Sequence, residues 1–119
     1  MFEKLAERVN ADAGLVRRGR LFSGTVLLAC GDEEHCVAIA AGRVESVARG
    51  ALPLQARVFA IRASADAWQR FREPVPEPGW HDILAMTSGG RATVEGDIAA
   101  FMRHLRYFKD MLAVLRDGG

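Results

Sequence analysis

Three groupings of side chains in this sequence carry residue types that can do chemistry. Cys30, His35 and Cys36 bring two thiols and an imidazole close together, the ingredients of a zinc site or a redox pair. A structural zinc site needs four ligands, and three, two of them adjacent in the chain, do not complete one. A disulfide would close only a very short loop, and a reducing compartment disfavours it. Both cysteines read as small apolar fillers at the ends of two strands. His81-Asp82 offers a general base beside an orienting acid. Neighbours on a helix point about 100° apart, so the two are not expected to pair. Asp82 then serves as a carboxylate near the positive end of a helix. Glu95 and Asp97 are carboxylates at a spacing of two, but strand alternation turns Glu95 outward while Asp97 caps the helix that follows. His104, beside Arg103, falls toward the polar side of that helix and reads as solvated. Ser88-Gly89-Gly90 has the wrong context for a Gly-x-Ser-x-Gly elbow, and neither phosphate-binding glycine loop occurs. The expectation is a protein with no catalytic residues, no metal and no cofactor.

The elements that would position these residues follow from hydrophobic period. Phe2, Leu5, Ala6, Val9 and Ala13 share one helical face over residues 2 to 13, with Gly14 as the stop. From Leu21 to Cys30 the pattern alternates, with Phe22, Gly24, Val26, Leu28 and Cys30 on one face. Strands are expected again at Cys36–Ala41, Val44–Arg49 and Arg57–Ala63, with Phe59, Ile61 and Ala63 on one side. Gly50 to Gln55, containing Pro53, connects the last two. Sequentially adjacent short strands are most simply an antiparallel meander. Ser64 caps a helix that buries Ala67, Trp68 and Phe71. Pro74, Pro76 and Pro78 force an extended stretch from Glu73 to Gly79. A short helix over His81–Met86 ends at Gly89-Gly90. Arg91 to Gly96 alternates, with Ala92 and Val94 inward. Asp97 caps the longest helix, running to about Arg116, with Ile98, Phe101, Met102, Leu105, Phe108, Met111, Leu112 and Leu115 on its apolar face. Helices segregated against one mostly antiparallel five-stranded sheet make an α+β fold.

Composition bounds the function. The 119 residues fit a single domain spanning 1–119, long enough to bury a core without staples. Sixteen basic and fifteen acidic side chains leave a net charge of +1, unlike a nucleic-acid binder with its basic face. Nothing approaches the roughly 18 apolar residues of a membrane span. Met1-Phe2-Glu3-Lys4-Leu5 lacks the features of a secretion signal, and Arg116-Asp117-Gly118-Gly119 carries no short address motif. A soluble cytoplasmic protein is expected.

The segment Gly90-Arg91-Ala92-Thr93-Val94-Glu95-Gly96-Asp97, followed by Ile98-Ala99-Ala100-Phe101-Met102, resembles the sterol carrier protein 2 family. There a glycine and a basic residue lead into an alternating strand, then Glu-Gly-Asp, then an amphipathic last helix. The helix start at Ser64-Ala65-Asp66 and the order of elements agree. The distinctive residues run from Gly89 to about Leu105. The resemblance implies a twisted sheet covered by helices, with an apolar tunnel between them for acyl chains, sterols or similar molecules, and no universal catalytic residues. The Pro-rich segment with Trp80 departs from that pattern.

The second half of the chain is suited to such a tunnel. It holds both tryptophans and every methionine but the first, and ligand cavities are mainly apolar and aromatic with adaptable Met. The candidate ligand-binding residues are Trp68, Phe71, Trp80, Ile83, Met86, Phe101, Leu105, Phe108, Met111 and Leu112. The same stripe also fits an ordinary core. The function expected is binding, and transfer, of a lipid, acyl chain or sterol-like molecule. The alternative is a non-catalytic accessory or dimerisation subunit whose tunnel is filled, a homodimer included. Arg17, Arg18 and Arg20 form one basic cluster, and Arg103, Arg106, Lys109 and Arg116 stud the outside of the last helix. These charges allow at most weak peripheral contact with anionic membranes.

Overall fold

The structure, a computed structural model, describes residues 2–50 and 56–116. Two short helices open the chain, α1 (Leu5–Asn10) and α2 (Ala13–Arg18). The expected single helix breaks because Asp12 is a strong cap: its carboxylate accepts the Leu15 N–H at 3.1 Å and starts α2. Gly14 therefore lies inside a helix and stops nothing. Leu5 and Val9 from α1 and Leu15 from α2 are fully buried, while Ala13 is exposed.

Strands β1 (Gly24–Cys30), β2 (Glu33–Ala40), β3 (Arg43–Arg49), β4 (Phe59–Ala63) and β5 (Ala92–Gly96) form one sheet in the order β3-β2-β1-β4-β5. The β2–β3 turn carries positive φ at both Ala41 (48°) and Gly42 (85°), the requirement of a tight two-residue hairpin. Only glycine fits the second position, since a Cβ there would sit 2.3 Å from the Val16 carbonyl oxygen. Three pairings are antiparallel, but β1 and β4 run parallel, with Leu27 opposite Ala60 and Cys30 opposite Ala63. This corrects the simple meander. Strands β3 and β4, consecutive in the chain, are thus separated in the sheet by both β2 and β1. The expected connector falls on positions 51–55, outside the described residues.

Alternation sorts the side chains into two layers. Val26, Leu28, Phe59 and Ile61 face the helices and join one large core, whereas Leu27, Ala29, Cys36 and Ala60 form a small second cluster on the opposite face. There Arg62 ties Glu34 (2.6 Å) to Glu95 (3.0 Å). Cys30 packs against the large core and Cys36 belongs to the small one, so the thiols stand on opposite faces and no disulfide joins them.

The remaining helices are α3 (Ala65–Phe71), α4 (Ile83–Ser88), α5 (Ile98–Arg103) and α6 (Leu105–Ala113). Ser64, Asp82 and Asp97 cap the first three, each side chain accepting a backbone N–H three residues on. The long last helix expected from sequence is two helices hinged at His104, whose φ and ψ are −111° and 26°. Nor is His104 simply solvated. It is half-buried, with its ring edge-on to Phe22 at 5.2 Å. On the first of the two helices, Ile98 and Met102 are 45% and 48% exposed, not turned inward. Among the described residues no helix is long and apolar enough to cross a membrane.

Candidate ligand site

The candidate residues converge in the layer between helices and sheet. Trp68, Phe71, Ile83, Met86, Phe101, Phe108, Met111 and Leu112 are all buried in the one large core, and Trp80 and Leu105 pack against it half-buried. Aromatic rings organise both ends. At one, the Trp68 indole lies edge-on to Phe2 (5.4 Å) and Phe71 (5.7 Å), and its N–H donates to the Ala29 carbonyl at 2.8 Å. At the other, Phe108 meets Phe22, Phe59 and Tyr107 at about 5 Å. Phe101 closes that group, 5.4 Å from Phe59 and 6.3 Å from Phe108. Edge-to-face contacts of this kind hold rings in fixed orientations.

One face of this layer opens outward. A groove of ≈ 350 Å³ between α4, β5 and α5 is lined by Leu84, Thr87, Ala92, Thr93, Val94, Ile98, Phe101 and Met102. Of the ten candidates only Phe101 reaches it. The wall is apolar apart from two threonines, and no charged side chain lines it. Its exposed apolar members, Ile98 and Met102, belonged to the stripe read from sequence; Leu84 and Thr87 carried no signal.

Trp80 lies elsewhere. The guanidinium groups of Arg70 (5.0 Å) and Arg91 (4.6 Å) lie over its ring, and it shares a small cleft with Arg70, Glu73 and Glu77. The Arg91 side chain packs so close to Gly89 that a Cβ there would fall 2.2 Å from its Nη1. A further cleft of ≈ 420 Å³ is lined by Glu3, Glu33, His35, Val47 and Arg49, with Glu33 and Arg49 ion-paired across it. Its charge makes it a poor seat for an apolar chain.

The polar groups that could do chemistry are committed elsewhere. His81 and Asp82 do approach each other, at 3.6 Å, because both precede α4 and the helical geometry that would separate them does not apply. Asp82 nonetheless accepts the Ala85 N–H at 2.8 Å and pairs with Lys109 at 3.2 Å. Burial works to raise its carboxyl, but the Ala85 N–H and the Lys109 ammonium outweigh it and hold the group below its ordinary value. Glu95 is held by Arg62 while Asp97 is taken up at its cap. Of the basic groups expected to stud the last helix, Lys109 pairs with Asp82, Arg106 with Asp110, and Arg116 turns in over the Phe71 ring. They do not form one outward patch.

A sheet of order 3-2-1-4-5 with one parallel pairing, covered on one face by helices, is the sterol carrier protein 2 fold. A sterol carrier protein 2 superposes with a TM-score of 0.76 at 18% identity, covering 95% of this chain and 91% of that one. A conserved hypothetical protein of Thermus thermophilus, named as a candidate sterol carrier protein, gives 0.75 at 16% identity, over 97% of this chain and 83% of the other. A ubiquinone synthesis protein, UbiJ-SCP2, gives 0.61 at 16% identity, over 96% and 87%. No family model matches the chain, and no curated protein sequence does. The likeness read from residues 89 to 105 therefore holds at the level of fold.

Proposed function

We propose that this protein binds, and transfers, an apolar ligand: a lipid, an acyl chain or a sterol-like molecule. The observation that carries the reading is the apolar groove between α4, β5 and α5, where Ile98 and Met102 stay nearly half exposed in a fold shared with sterol carrier proteins. Exposed apolar surface concentrated beside a concave wall marks a binding site more often than chance packing does. In this reading the ligand's chain enters past Ile98 and Met102 and meets Phe101. It then displaces the adaptable Met86 and Met111 among Ile83, Leu105, Phe108 and Leu112. Trp68 and Phe71 bound the far side.

The test begins with native mass spectrometry of the purified protein, with extraction and identification of anything bound. Oleate, an oleoyl thioester and cholesterol are then titrated against the emptied protein, read by thermal stabilisation and tryptophan emission. Saturable binding of at least one in the micromolar range is expected, and Ile98→Asp should weaken it at least several-fold. As Ile98 is exposed, that variant should change stability by no more than about 0.5 kcal/mol. Absence of binding across the panel overturns the proposal and leaves a non-catalytic subunit with a filled interior.

A further inference from the structure

Three cations meet at the carboxyl end of α6. Arg8 reaches from α1 and donates through Nη1 to the Val114 carbonyl at 2.7 Å. Arg72, at the end of α3, donates through Nε to the Leu115 carbonyl at 3.1 Å. Arg116 donates through Nε to the Phe71 carbonyl at 3.1 Å and through Nη2 to the His81 carbonyl. Capping helix carbonyls is a usual task for arginine, but it answers only a partial charge, roughly half an electron for a whole helix end. Among the described residues no carboxylate lies within ion-pair distance of Arg8 or Arg116. Asp82 acts on Arg116 only from a distance, being paired with Lys109.

Arg8 and Arg116 both line one cleft of ≈ 330 Å³, with Ala113 and Val114 completing its lining. That is room for about ten waters. Both residues are half-buried, and burial lowers the pKa of Arg116. Cations withdrawn from water without a counter-charge are costly, and an anion between them recovers that cost. Each guanidinium carries five N–H donors in a planar fork. Arg8 spends one on the protein and Arg116 two, so N–H groups remain on both.

We propose that this cleft is an anion-binding site for a phosphate or carboxylate group, with Arg8 and Arg116 as its two ligands. Planar bidentate donors on both sides suit the paired oxygens of such a group, and Ala113 and Val114 accept a short apolar neighbour of the charge. The anion is either the head group of an acidic lipid or a free small phosphate. The site is separate from the groove at α4, β5 and α5, so its failure would leave the apolar-ligand reading standing.

The test follows the arginine Nε–H signals in 15N NMR while inorganic phosphate is added at constant ionic strength, with chloride as the control salt. Saturable shifts at Arg8 and Arg116, absent with chloride, are expected. Arg8→Gln and Arg116→Gln should each weaken phosphate binding about tenfold, the loss of one charge-assisted pair of bonds. Arg106→Gln, whose partner is Asp110, should change nothing and shows that net charge alone is not responsible. Sedimentation with phosphatidylcholine vesicles, with and without phosphatidate, separates the sources. Phosphatidate-dependent binding lost in Arg8→Gln identifies a lipid head group, and phosphate binding without vesicle binding identifies a free anion. Equal shifts with chloride, or no shift in the folded wild type and both variants, overturn the proposal. So does binding that emerges only in Asp117→Asn, because the chain's own carboxylate would then be the occupant.

Discussion

Tyr107 is the chain's one tyrosine, and its hydroxyl offers a sharp test of the packing around α6. The side chain is 1% exposed and donates to the Gly42 carbonyl at 2.7 Å. Its ring lies against Gly19 so tightly that a Cβ there would fall 2.3 Å from Cε1. Burial pushes its phenol from the ordinary value of 10 up to about 12. An acid whose folded value is raised keeps its proton longer in the native state than in the unfolded chain. Its contribution is intact below pH 10 and is lost as the pH climbs toward 12. At about 1.36 kcal/mol per unit, the loss reaches about 2 kcal/mol by the top of that window. Tyr107→Phe removes the titration and strands the Gly42 carbonyl, costing about 1–3 kcal/mol at neutral pH. The stability gap between wild type and variant should therefore shrink with rising pH and close near pH 12. Urea unfolding across the pH range measures the gap, and near-ultraviolet tyrosinate absorbance reports Tyr107 with no other tyrosine to confuse it. Tyrosinate appearing at pH 10 in a protein that is still folded, or a gap that stays constant, would refute the reasoning.

Other expectations follow from the same contacts. Met111→Trp, at a fully buried position, should overpack the core and lower thermal stability by about 1–3 kcal/mol, while weakening uptake of the apolar ligand. Unchanged uptake would take Met111 out of the site. Asp82 has a lowered carboxyl pKa, so its stabilising effect is present above its ordinary value of 3.8 and disappears as pH falls through the folded value. Asp82→Asn should flatten that acid limb in denaturant titrations while retaining part of the α4 cap. Asp97→Ala should cost about 1 kcal/mol in unfolding free energy through the lost cap on α5, and Asp97→Asn much less.

Local signals were legible wherever one residue decides a conformation. Ser64 and Asp97 are helix caps as their positions suggest, and the alternation of Val26 and Leu28, or of Phe59 and Ile61, assigns the right face to each strand. Topology was not legible, since a short connector gives no sign that β4 will pair with β1 and in parallel. Asp12 outweighed Gly14 at the first helix because a hydrogen-bonded cap is worth more than a glycine's freedom. The last helix misled differently. At about 100° per residue, Ile98 and Met102 fall on the margin of a stripe centred on Phe101, Phe108 and Leu112, and marginal positions are the ones left at the surface. A wide stripe thus held both core and groove, and the hinge at His104 had no marker in the residues. His81 and Asp82 met because the helix began later than expected, at Ile83.

An open sheet leaves two rows of unpaired backbone groups, and such rows recruit strands from other chains. In the order β3-β2-β1-β4-β5 those rows belong to β3 and β5. Along β3 stand Arg43, Glu45 and Arg49, and the ladder behind it shifts register between Ala38 and Ile39, which bends the edge away from a flat template. β5 has only five residues, with Thr93 and Glu95 pointing outward and Gly96 at its end. Neither edge presents the long, flat, uncharged run that seeds cross-chain pairing. The apolar strands most prone to aggregate, β1 and β4, sit in the middle with both sides occupied. The apolar groove between α4, β5 and α5 thus opens to solvent beside a sheet edge that is itself short and polar.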